Sequence, residues 1–90
     1  MGKSQRIFLD DKSYIDWSIH AVAKDRWRPH GVRYRIAWVD KGVCRVLFDN
    51  HHGKEVHVHL DGNESAYLFI SVEKLWNDFL NEIRKRGGLE

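Results

Sequence analysis

Ninety residues, 42% hydrophobic and 31% charged, suffice for one globular domain with a thin core and are too well mixed for a disordered or fibrous chain. The net charge of +2 does not by itself identify a nucleic-acid binder, so where the charges fall matters more than their sum. A single cysteine, Cys44, excludes an internal disulfide and favours a reducing cytoplasm. No apolar run approaches the ~20 residues of a membrane helix, and Met1–Arg6 lacks a signal-peptide apolar region, so no membrane association is expected.

In chain order, Ile7-Phe8-Leu9 forms a short apolar start and Asp10-Asp11-Lys12 a turn. From Tyr14 to Ala23, Ile15, Trp17, Ile19 and Ala21 alternate with Asp16, Ser18 and His20, the period of a half-buried strand. Lys24–Gly31 reads as a loop carrying Pro29 and the run Arg26-Trp27-Arg28. A second strand spans Val32–Val39, with Tyr34, Ile36 and Trp38 opposite Arg33 and Arg35. Asp40-Lys41-Gly42 predicts a hairpin into Val43–Phe48. There the alternation sets Cys44, Val46 and Phe48 on the core face and Arg45 on the other.

After a turn at Asn50–Lys54, Val56, Val58 and Leu60 alternate with His57 and His59. Asp61-Gly62-Asn63 is a further turn, and Tyr67–Ile70 a last short strand. Val72, Leu75, Trp76, Phe79, Leu80 and Ile83 then repeat at helical spacing, with Ser71 as N-cap and Gly87 as the stop. The expected fold is α+β: an antiparallel meander of four to five strands with one C-terminal amphipathic helix packed on one face. It fills a single domain over residues 1–88, with Leu89-Glu90 read as a cloning scar. A helix on one face leaves the polar set (His20, Arg33, Arg35, Arg45, His57 and His59) on the other, provided no strand slips by one residue.

Four histidines fall within nine residues, from His51 to His59, beside Asp49 and Asn50. A solvated strand face needs no function for its histidines, yet this density favours chemistry. His57 and His59 share a strand face about 6.5–7 Å apart. Two imidazoles can divide the work of RNA cleavage, one taking the 2′-hydroxyl proton and the other protonating the leaving 5′-oxygen. Arg33, Arg35, Arg45 and Lys54 are candidates to meet the phosphate, Asp49 can orient an imidazole, and His51 is a further candidate from the turn. Trp27 beside Arg28 can stack on a base or contact a protein. The catalytic set is thus His57, His59, Asp49 and His51, needing no cofactor or metal, and the RNA-binding set Arg33, Arg35, Arg45, Lys54, Trp27 and Arg28.

Two other readings stay open. His-x-His on a strand can ligate zinc, completed by His51, His52, Asp49 or Asp61, as in a metal-dependent hydrolase. Alternatively, the domain is a non-catalytic module that binds RNA or a protein through Arg26-Trp27-Arg28.

From Gly31 to about Ile83 the chain resembles the TumE family of toxins. The resemblance rests on Tyr34-Arg35-Ile36 with Val39-Asp40, then Val46-Leu47-Phe48-Asp49-Asn50-His51, Gly53-Lys54 and His57-Val58-His59. It continues through Tyr67-Leu68-Phe69, Ser71-Val72-Glu73-Lys74-Leu75 and Asp78-Phe79-Leu80. Phe48 and Val58 depart from the family's usual tyrosine and basic residue. The resemblance implies a toxin that acts on mRNA, with RNA as substrate and a helix-turn-helix antitoxin as partner.

Overall fold

A computed structural model describes residues 2–26, 28–50 and 57–89. Six strands form one antiparallel sheet in chain order: β1 (Gly2–Phe8), β2 (Ser13–Ala21), β3 (Val32–Asp40), β4 (Val43–Asp49), β5 (His57–Leu60) and β6 (Asn63–Ala66). One helix, α1 (Val72–Lys85), comes after them. The α+β meander with a C-terminal helix is as the sequence predicts, with six strands where four to five were expected.

The two edge strands are polar over most of their length, which explains why alternation did not place them. β1 carries Lys3, Ser4, Gln5 and Arg6, and β2 holds it through the full register Gly2↔His20 to Phe8↔Tyr14. Arg6 grips Asp16 directly opposite through Nε and Nη2, at 2.7 and 2.9 Å. At the other edge, the strand expected at Tyr67–Ile70 lies instead at Asn63–Ala66. Asp61 and Gly62 have φ of 50° and 85°, the pair of positive values that defines a tight two-residue hairpin. The chain therefore turns in two residues and begins β6 at Asn63. Tyr67–Ile70 is irregular; Phe69 is buried, while Leu68 and Ile70 are exposed.

The helix begins at Ser71, whose Oγ accepts from the Lys74 backbone N–H at 3.1 Å. It ends in a glycine cap: Gly87 at φ 76° lets its own N–H reach the Arg84 carbonyl and the Gly88 N–H reach the Ile83 carbonyl. Leu75, Phe79 and Ile83, one stripe of the helix, are completely buried. They pack with Ile15, Tyr34, Ile36, Trp38, Val46, Phe48, Val58 and Phe69 into one core between helix and sheet. Leu89 also lies against this core. Within it, the Trp38 indole N–H donates to the buried Ser13 Oγ at 2.7 Å. Replacing Ser13 with Ala is expected to cost about 1–3 kcal/mol, because the indole N–H is left buried and unpaired; equilibrium denaturation of the variant measures it.

One register shift redirects a predicted site residue. Trp38 pairs with Val46 but Val39 pairs with Cys44, so β4 carries an extra residue at Arg45. The bulge breaks simple alternation. Cys44 moves to the face opposite the core and is exposed. Arg45 turns to the helix side, its guanidinium 5.3 Å from the Trp38 ring and 2.8 Å from Asp61. The expectation of Arg45 on the open face is therefore corrected.

Candidate active site

Helix α1 covers one sheet face and leaves the other bare. Strand pairing fixes which residues share that face, because directly opposed residues point the same way. One row runs Ser18, Arg35, Asp49, His57 and Ala66 from β2 to β6. The neighbouring row runs Arg6, Asp16, Ala37, Leu47, His59 and Glu64. A third places His20 opposite Arg33. The meander thus assembles Arg33, Arg35, Asp49, His57 and His59 on one surface from three separate stretches of sequence.

The histidines are close. Their ring centroids are 5.0 Å apart with the planes near perpendicular, at 79°. Glu64, directly across from His59, reaches diagonally to His57, with Oε2 3.1 Å from Nε2. The Glu64 carboxylate thus holds the His57 ring in place beside His59 on the sheet surface. Asp49, buried at the end of β4, stands opposite His57 in the ladder. The next residue, Asn50, performs a structural task. Its Oδ1 accepts from the Tyr34 backbone N–H and its Nδ2 donates to the Val32 carbonyl, both at 2.8 Å. This clamp holds the end of β4 against β3 and so fixes Asp49 beside Arg35.

Five of the arginines divide into two groups. Arg6, Arg45 and Arg86 are neutralised by Asp16, Asp61 and Glu82. Asp61 bonds Arg45 and Arg86 together, at 2.8 Å each; these side-chain bonds hold its carboxyl below the usual range. It is committed to tying the β5–β6 turn to the helix end, not to a site with the histidines. Arg33 and Arg35 are exposed and join no ion pair among the described residues. A shallow cleft beside Arg35, lined by Ser4, Arg6, Asp16 and Ser18, continues the polar surface toward β1.

Of the remaining candidates, Arg28 is half-buried in the β2–β3 loop, where its backbone N–H donates to Asp25 Oδ1 at 2.7 Å. That loop leaves the sheet at the end bearing Arg33, His20 and His57. Trp27, His51, His52 and Lys54 lie outside the described residues. The residue that sequence reasoning missed is Glu64. The signal was present in Asp61-Gly62: taken as a two-residue turn, it sets Glu64 opposite His59.

An open antiparallel sheet, backed by one helix and baring a face of arginines and histidines, defines an α+β domain. A family model described as Toxin TumE matches residues 3–87. The chain belongs to the TumE family; it is a toxin, and its family implies an antitoxin partner. No curated protein and no solved structure matches it.

Proposed function

We propose that the protein is a toxin acting on mRNA as a small endoribonuclease, with His57 and His59 as its acid–base pair. The observation that carries this reading is the meeting of two imidazoles 5.0 Å apart with the exposed cations Arg33 and Arg35 on the face the helix leaves bare. One imidazole removes the 2′-hydroxyl proton as that oxygen attacks phosphorus. The other delivers a proton to the departing 5′-oxygen, so the phosphorus–5′-oxygen bond breaks without building an alkoxide. His57 and His59 divide the roles of base and acid between them. Arg35 and Arg33 bind the phosphates, with His51, Lys54, Trp27 and Arg28 as supporting candidates by chemistry alone. The antitoxin is a helix-turn-helix protein, as the family resemblance implies.

The chemistry predicts its products. Cleavage proceeds with chelator present and leaves a 2′,3′-cyclic phosphate on one fragment and a 5′-hydroxyl on the other. End-labelling of the fragments reads this directly. Fragments with 5′-phosphates, or activity abolished by chelator, would overturn the mechanism.

A further inference from the structure

We infer that His57, His59 and Glu64 form a three-ligand site for Zn²⁺ or a similar borderline divalent cation. One ligand atom from each of the three lies within 4.8 Å of the others. All three come from a single hairpin, β5 and β6 joined by the two-residue turn at Asp61-Gly62. Such a hairpin has little freedom to separate its strands. The two histidines occupy alternate positions of β5 and so share a face. Glu64 faces His59 in register and already reaches His57, at 3.1 Å.

Zinc with bonds of about 2.0–2.1 Å holds tetrahedral ligands roughly 3.3 Å apart. The His57–Glu64 separation of 3.1 Å is close to that spacing, and no pair of the three needs to close by more than about 1.5 Å to reach it. His57 and His59 are half-buried and Glu64 exposed, so none is locked in the core. The donor set selects the cation. Two imidazoles and one carboxylate suit zinc and its first-row neighbours, with a fourth position open to water. Magnesium and calcium require oxygen-rich sets and are excluded.

Because the cation takes the imidazole lone pairs, occupancy and acid–base use of the same rings exclude one another. This last consequence rests on the proposed ribonuclease reading; the binding site itself does not. The test uses the full chain purified without a polyhistidine tag and stripped by chelator. Titration with Co²⁺ should develop the visible bands of four- or five-coordinate cobalt at one equivalent, and Zn²⁺ should bleach them. Glu64→Gln should weaken binding by at least the 10- to 100-fold usual for loss of a supporting group; His59→Ala should abolish the bands. Circular dichroism shows whether each variant keeps its fold. Absence of the bands, or one-equivalent binding unchanged in both variants, would overturn the site. In a parallel RNA assay, Zn²⁺ should suppress cleavage by the wild-type chain; stimulation would overturn the exclusion. A chain that binds cobalt but never cleaves RNA refutes the ribonuclease reading and keeps the metal site.

Discussion

His57→Ala is expected to lower the rate of RNA cleavage by about 10²- to 10⁴-fold, the contribution usual for a positioned acid or base, and to relieve growth arrest when the toxin is expressed. The stability cost should be small. His57 pairs with Glu64 near the surface, and an ion pair of that kind contributes about 0–1 kcal/mol. Its backbone position in β5, between Asp49 and Ala66, does not depend on the side chain. The variant should therefore melt close to the wild type while its chemistry is lost. His59→Ala should fall by the same order. Arg84→Ala, on the exposed surface of the helix, should cleave as the wild type does. Unaltered cleavage by a chain lacking both His57 and His59 would place the chemistry elsewhere.

Much of this site was legible in the sequence because strand alternation is a strict rule where one face is buried. His20, Arg33, Arg35, His57 and His59 reach the open face because Ile15, Tyr34, Ile36 and Val58 are drawn to the core. The helix was legible for the same reason, its buried stripe repeating at the helical period. Arg45 and Cys44 were misplaced because a one-residue bulge leaves no trace in composition, yet reverses the facing of side chains across it. β1 and β6 were missed because these edges bury neither face, their residues 3–8 and 63–66 all being exposed, so nothing demands hydrophobic alternation there. Their polar residues serve the bare face instead: Arg6 neutralises Asp16, and Glu64 holds His57. The partner of a predicted residue was thus hidden in the segment with the weakest pattern.

Phe79→Ala should have the largest effect on the fold. Phe79 has no exposed surface and packs edge-on against Phe48 at 6.0 Å and Trp76 at 5.8 Å. Phe48 in turn meets Tyr67 at 4.9 Å, so the removed ring is the centre of an aromatic cluster joining helix, sheet and the segment between them. Truncation of a buried Phe costs about 3–5 kcal/mol, much of the roughly 5–15 kcal/mol that stabilises a typical domain. A chain of this size should lose at least about 12 °C in Tm. The consequence for the site is indirect. Phe48 precedes Asp49, and β4 carries the ladder that positions β5, so the site exists only while the helix holds β4 in place. Below its melting transition the Phe79→Ala chain should retain cleavage per folded molecule, and lose it on warming in step with the circular dichroism signal. His57→Ala should show the opposite: an intact melting curve with no cleavage at any temperature. Measuring both variants across one temperature series separates the residue that performs the chemistry from the residue that holds its platform. A Phe79→Ala chain that stayed folded but lost cleavage in the cold would require the ring to act on the site beyond its role in the core.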